Sequence, residues 1–329
     1  MKGSLQRWWT RRFWRRQYAE FDRYTAEVNW LRSPLLQRLY INPLISSHPD
    51  KDWLYWLQET YFPQPAAQGL SLGCGAGQLE RLVIQRNLCR RLEACDLSPD
   101  AVAQARAEAE AAGLGDRTHF FVADLNTLEL PSSHYDLILC PMSLHHLRNL
   151  EQVYAQARAA LRPGGLLALN EFVGPDRLQW SPKQLRAANE LLQRLPRRYR
   201  RNLDPRWWGR LLEPYRRRVR RRPRWRMLLD DPSESVRSSE VVPLLEREFT
   251  IVERKDYGGT LLHLVLDRIA GNFQDTEADR QLLLELCHYE RTLIEKGELP
   301  SDFTVIVARP KAEPPERNSQ RDTAPSQGS

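Results

Sequence analysis

No run of eighteen or more apolar residues occurs in this chain, so it offers no helix able to cross a bilayer. The first residues, MKGSLQRWWTRRFWRR, lack the apolar centre of a secretory leader and carry arginines in its place. Cysteine is scarce. Cys74, Cys89, Cys95, Cys140 and Cys287 are odd in number and contain no CxxC pair, which argues against a disulfide framework and a structural zinc site. A reducing, cytoplasmic setting is therefore expected, with Cys74 and Cys140 as small buried thiols. Internal repeats are absent, and no carboxylates gather at strand ends in the manner of a magnesium site, so no metal is expected. Apolar material is not lacking: 41% of the 329 residues are hydrophobic and 28% charged, enough for a sizeable core.

The net charge of +7 is unevenly placed. It concentrates in RRFWRR near the start and in RRYRRNLDPRWWGRLLEPYRRRVRRRPRWR, from Arg197 to Arg226. An acidic partner follows from such clustering, whether nucleic acid, a phosphorylated metabolite or anionic lipid.

Five regions are expected along the chain. Residues 1–68 read as a helical cap, with Trp14, Tyr18, Phe21, Tyr24, Val28 and Leu31 on one arc of the first helix and DKDWLYWLQETYF as a second. Residues 69–175 alternate strands (GLSL, RRLEACD, THFFVAD, YDLILC, LLALNEF) with helices. One helix opens with Ser98 as N-cap and Pro99 in its first turn and closes near Gly113, and another stops at RPGG. Residues 176–248 form a helical, arginine- and tryptophan-rich lid or substrate region. Residues 249–309 add FTIVERKDY and DFTVIVARP as strands six and seven, separated by two helices, TLLHLVLDRIAGNF and TEADRQLLLELCHYERTLIEK. Residues 310–329 have the composition of a disordered tail. The fold class is α/β, a Rossmann-like, mostly parallel seven-stranded sheet with helices on both faces.

The first strand runs into Gly73, Gly75 and Gly77. This spacing is one residue short of the dinucleotide fingerprint GxGxxG, and a turn so compact suits a ligand with no diphosphate to cradle. Asp96 ends the second strand, where a carboxylate accepts ribose hydroxyls. Asp124 ends the third, within reach of an adenine amino group, with the Leu125 backbone beside the ring edge.

Together LSLGCGAGQLE, EACDLSPDAVAQAR, FFVADLNTLELPSSHYDLILCPMSLHHL and ALRPGGLLALNEF resemble the successive motifs of class I S-adenosylmethionine-dependent methyltransferases, in particular the small-molecule and quinone-type members with LHH after the fourth strand. The resemblance covers roughly residues 69–175. It implies S-adenosyl-L-methionine as cofactor, held by Gly73, Cys74, Gly75 and Gly77 at its methionine part, Asp96 and Leu97 at its ribose, and Asp124 and Leu125 at its adenine. Ser71 stands where the family commonly shows an acid, and the two helices between the last strands replace a hairpin.

Methyl transfer from a sulfonium is an in-line displacement, and an oxygen or protonated-amine acceptor also needs a base. His145, His146 and Glu171 are the candidates at the cofactor edge. At most one of the adjacent histidines is expected to do chemistry, and Glu171 is equally readable as a structural carboxylate bonding backbone amides. His263, within TLLHLVL, reads as a satisfied core histidine. The fourth strand ends in CPMS, not in the Asn/Asp-Pro-Pro-aromatic pattern of nucleobase amino methylation. The Arg197–Arg226 segment is read as a lid suited to an anionic acceptor. The expected function is methyl transfer to O or N of a small metabolite or a glycan- or lipid-linked acceptor. An RNA methyltransferase, and a membrane-surface or interaction protein that binds the cofactor without catalysis, stay open as alternatives. Peripheral contact with an anionic membrane goes with the last.

Overall fold

The computed structural model describes residues 29–204 and 206–312. The tryptophan- and arginine-rich helix expected before residue 29, and the tail beyond residue 312, lie outside the described residues. After a 3-10 turn, Trp30–Arg32, comes a helix of two α-helical pieces, Pro34–Leu36 and Asn42–Ser46, joined by a π-helical stretch, Gln37–Ile41. Helix α1 (Trp53–Tyr61) is capped by Asp52, whose Oδ1 accepts from the amides of Leu54 and Tyr55.

Seven strands follow: β1 (Ala66–Leu72), β2 (Cys89–Asp96), β3 (Thr118–Val122), β4 (Tyr135–Pro141), β5 (Leu161–Phe172), β6 (Phe249–Gly258) and β7 (Phe303–Pro310). Strand β1 begins at Ala66, so the cap ends before the expected residue 68. The sheet order is β3-β2-β1-β4-β5-β7-β6, with β1 to β5 parallel and β7 antiparallel to both neighbours. The helices between the parallel strands are α2 (Gln78–Gln85), α3 (Pro99–Ala111) and α4 (Leu150–Ala160). Ser98 caps α3 through its Oγ, as expected. RPGG, expected to separate helix from strand, instead lies inside β5, where the register with β4 slips between Tyr135 and Leu137.

Strands β4, β5 and β7 are apolar almost without interruption because both faces are covered. On one face Leu137, Leu139, Ala168 and Val305 join α1, the N-terminal helix, α5 (Pro182–Arg194) and the later helices. On the other, Ile138, Leu167, Leu169 and Ile306 pack with α4 and α8 (Val241–Glu248). All five cysteines are free thiols and buried.

The region after β5 is less helical than expected. Between α5 and α8 the only α-helices among the described residues are α6 (Trp207–Leu212) and α7 (Arg224–Asp230). Loop 202–214 is pinned at its base by an Arg201–Tyr215 bridge and an Asn202 amide to Pro214 carbonyl bond. Residues 217–219 run beside α5, where Asn189 exchanges two hydrogen bonds with the Val219 backbone. Of the two helices expected between β6 and β7, only α9 (Glu277–Glu295) forms in full. TLLHLVLDRIAGNF yields one four-residue helix, Leu262–Val265, and a 3-10 turn, Ala270–Asn272. Arg268, with φ +61°, interrupts the run between them.

Candidate functional site

The strand order reverses between β1 and β4, which places a crevice at the carboxyl ends of the parallel strands. Gly73, Gly75 and Gly77 turn the chain from β1 into α2 with φ of +86°, +53° and +74°. At Gly73 the demand is twofold, because a Cβ there would lie 2.4 Å from the Ser143 Cβ as well as strain the backbone. The glycine loop is thus packed directly against the turn after β4. Asp96 Oδ2 accepts from the Gly75 amide at 3.0 Å and Oδ1 from the Ser98 amide at 2.8 Å. Burial pushes this carboxyl up and the backbone donors pull it back, with burial the larger effect. Each oxygen retains capacity for another donor.

Asp124 Oδ1 accepts from the Asn126 amide and side chain, Leu97 is half-buried and Leu125 is buried. The expected cofactor residues therefore share one edge of the sheet, with one qualification. The Cys74 side chain packs into a cluster with Ala94, Val102, Ala105, Ala109 and Phe120, so it offers a ligand only its backbone.

Two buried polar atoms border this loop without a partner among the described residues: Ser143 Oγ and Glu80 Oε2. Glu80 is fully buried at the start of α2, and its Oε1 accepts from the Ser71 hydroxyl at 2.6 Å. Burial drives its carboxyl up to about 7, against the opposing Ser71 bond. The acid missing from position 71 is thus present beside it, supplied by the helix. Glu80 went unread in the sequence, although it shares a helical face with the buried Val83 and Ile84, where an acid is out of place. Unpaired buried acceptor and hydroxyl groups beneath a glycine loop fit a ligand bearing an ammonium and hydroxyls, as S-adenosylmethionine does.

Glu171, at the end of β5, is fully buried. Its Oε1 accepts from the amides of Ser143 and Leu144 at 2.5 and 2.6 Å, and its Oε2 pairs with His145 Nδ1 at 2.7 Å. Glu171 thus bonds backbone amides, as its structural reading has it, and in addition holds the His145 ring. Burial pulls the His145 pKa down, but the Glu171 carboxylate outweighs it and holds the ring above its ordinary value. His146 lies with its ring 4.1 Å from that of His145 and is shifted the other way, by burial and by its neighbour's charge.

The segment after α7 meets this pair through backbone. The Val236 amide donates to the His145 carbonyl at 2.9 Å, and the Arg177 amide to the Ser235 carbonyl at 2.6 Å. Asp231, Ser233 and Glu234 thereby face the histidines, with Ser233 Oγ 3.5 Å from His146 Nδ1 and 2.6 Å from Asp231 Oδ1. Burial raises the Asp231 carboxyl; for Glu234 burial also pushes upward, but His146, His145, the Ser235 hydroxyl and His263 together outweigh it and lower the carboxyl. One ligand atom each of His145, His146 and Glu234 lies within 4.8 Å of the others, the one such group among the described residues. Asp231 and Glu234 escaped sequence reading because only the folding of the lid brings them to the histidines.

His263 is half-buried among Phe172, Trp180 and Phe303, but its Nδ1 has no partner among the described residues, and desolvation lowers its pKa. It is not a satisfied core histidine. The arginines of residues 197–226 are for the most part exposed, and the charged groups of residues 231–236 that act on the histidines, Asp231 and Glu234, are acidic.

The methyltransferase-domain family matches residues 70–165. Over 132 residues the chain is 24% identical to a ubiquinone/menaquinone biosynthesis C-methyltransferase of Cereibacter sphaeroides, covering 40% of this chain and 53% of that protein. Over 104 residues it is 34% identical to a 27-O-demethylrifamycin SV methyltransferase of Amycolatopsis mediterranei, covering 32% and 38%. The chain thus spans about half or less of these curated relatives. Among solved structures, it is similar to the geranyl diphosphate C-methyltransferase of Streptomyces coelicolor A3(2) at 11% identity, with a TM-score of 0.48 and coverage of 78% of this chain and 77% of that one.

Proposed function

Residues 70–165 are a methyltransferase domain of the class I S-adenosylmethionine-dependent type, and from that premise we propose that the chain methylates O or N of a small or lipid- or glycan-linked acceptor, with His145 as general base. The observation that carries this reading is the buried Glu171–His145 pair at the cofactor edge of the sheet. Glu171 accepts the Nδ1 proton, which leaves the Nε2 lone pair to take a proton from the acceptor as its heteroatom becomes nucleophilic. The carboxylate then stabilises the imidazolium, helped by Glu234 and Asp231. The bound cofactor supplies an electrophilic methyl on sulfur. Gly73, Gly75, Gly77, Glu80 and Asp96 would hold it, with Asp124 and Leu125 at the adenine, while the Val236 amide fastens the chain after α7 to the His145 carbonyl. Two carboxylates beside the histidines favour a neutral or cationic reacting end, so an anionic part of the acceptor would lie outward, toward the arginines.

Calorimetric titration with S-adenosylhomocysteine, with NAD as control, tests the premise. Saturable binding of the first and none of the second is expected, and the reverse pattern would remove this reading. Locating the transferred methyl by NMR of the product then separates heteroatom from carbon methylation, and a methyl on carbon would overturn the O or N assignment. Asp96→Ala is expected to weaken S-adenosylhomocysteine binding by about 1–3 kcal/mol, the usual cost of losing a charged hydrogen-bond partner. Unchanged affinity in that variant would displace Asp96 from the ribose site.

A further inference from the structure

Twelve large apolar side chains stand exposed among the described residues, and seven of them belong to two short helices of the lid. Helix α6 exposes Trp207, Trp208, Leu211 and Leu212, and its one buried residue is Gly209. Helix α7 exposes Trp225, Leu228 and Leu229, while Met227 turns inward. The leucines are the extreme cases, with Leu212 79% and Leu211 71% exposed. Scattered apolar residues on a surface need no explanation, but this concentration does.

The charge around them is equally one-sided. Residues 197–226 hold fourteen arginines against two acids, while the chain as a whole is only +7, so everything outside this segment is net acidic. One of those two acids, Asp204, is buried and already paired with Arg206 and Arg268. Arg217, Arg218, Arg220, Arg221, Arg224 and Arg226 are all exposed.

We propose that α6, α7 and the arginines flanking them form a docking surface for an anionic lipid bilayer. Tryptophan settles at the level of the headgroups, leucine enters the acyl boundary, and arginine meets the lipid phosphates. The leucines decide between lipid and nucleic acid. Bases stack on tryptophan and phosphates pair with arginine, but a nucleic acid offers nothing to four exposed leucines. No described helix is long and apolar enough to cross the membrane, so the contact is peripheral. Helix α7 leads directly into Asp231, beside His146, so docking sets the histidine chamber against the lipid surface.

The test uses the full chain and reads partitioning, not turnover, so it stands or falls apart from the methyl-transfer reading. Flotation with vesicles of phosphatidylcholine and phosphatidylglycerol is expected to carry the protein, with a blue shift of tryptophan emission. Vesicles of phosphatidylcholine alone, or high salt, should carry much less of it. Replacing Trp207, Leu211, Leu228 and Leu229 together by Ala is expected to lower partitioning about a hundredfold. If those changes also lower the thermal midpoint, Arg218→Gln, Arg220→Gln and Arg224→Gln combined decide, with an expected loss of about a hundredfold. Absence of binding to the anionic vesicles, or binding unaffected by both sets, would overturn the proposal. So would tight binding of single-stranded RNA without vesicle binding, or a dimer that the apolar set abolishes.

Discussion

Replacing Glu171 by Gln is expected to lower kcat about a hundred- to ten-thousand-fold while leaving the affinity for S-adenosylhomocysteine unchanged. The substitution keeps the shape of the side chain. An amide oxygen still accepts from the Ser143 and Leu144 amides, as Oε1 does now. The amide nitrogen then faces His145 Nδ1 and can only donate to it, so the ring is forced to carry its proton on Nε2. A base with its proton on the wrong nitrogen cannot accept one from the acceptor. The pH profile supplies the independent readout. A base must be neutral to act, so activity rises with pH through the pKa of His145, which Glu171 now holds above the ordinary value. Without the carboxylate the imidazolium loses its main support, its pKa falls, and the acid limb of residual kcat/KM moves to lower pH. Wild-type kcat in the variant, or an acid limb that stays in place, would remove His145 from the role of base.

The largest loss of stability is expected far from that chamber, at Glu290. This residue is fully buried on α9, and its carboxylate accepts from the amides of Gly259, Leu261 and Leu262 and from the Tyr40 hydroxyl. Burial pushes its pKa up and the four donors work against that shift. The carboxylate thereby ties the N-terminal helix, the turn after β6 and α9 to one point. It fits because position 258 has no side chain: a Cβ on Gly258 would lie 2.3 Å from Glu290 Oε1. Glu290→Ala strands four buried donors and leaves a cavity, a cost of about 4 kcal/mol or more. For a domain of this size that corresponds to a drop of about 10 °C in thermal midpoint. Tyr40→Phe removes one donor and leaves the other three satisfied, so about 1 kcal/mol is expected. Equal losses in the two variants would mean that Glu290 is not the point at which these segments are joined.

The parallel core was legible in the sequence because its signals are local. Apolar runs such as LILC and LLAL, the glycine turn, the Ser98 cap and acids at strand ends each declare themselves within a few residues. TLLHLVLDRIAGNF misled for the opposite reason. Residues Leu261, Leu262, Val265, Leu266 and Ile269 are all buried, so the stretch has no polar face to reveal a period. RPGG does stop the helix, which ends at Ala160, but the strand label already begins at Leu161, and Arg162 to Gly165 form the irregularity between the Tyr135–Leu161 and Leu137–Leu166 pairs. At the site, His145, His146 and Glu171 could be picked out by position, but their pairing could not. Which histidine meets the carboxylate depends on the direction of one turn. Asp231 and Glu234 reach the site only through a lid whose path depends on non-local bonds such as Asn189 to Val219.

The five buried thiols also give the molecule a built-in record of how it comes apart. Burial raises each of their pKa values, those of Cys89 and Cys95 to about 12, and alkylating reagents attack only thiolate. Native protein at neutral pH should therefore resist modification, and each cysteine should react at the rate at which its own surroundings open. Cys89 and Cys95 bracket β2, Cys140 lies in β4, Cys74 sits in the glycine loop, and Cys287 belongs to α9. Pulsed alkylation read by peptide mass would then show whether the α9 layer departs before the sheet or with it, with no label or substitution introduced.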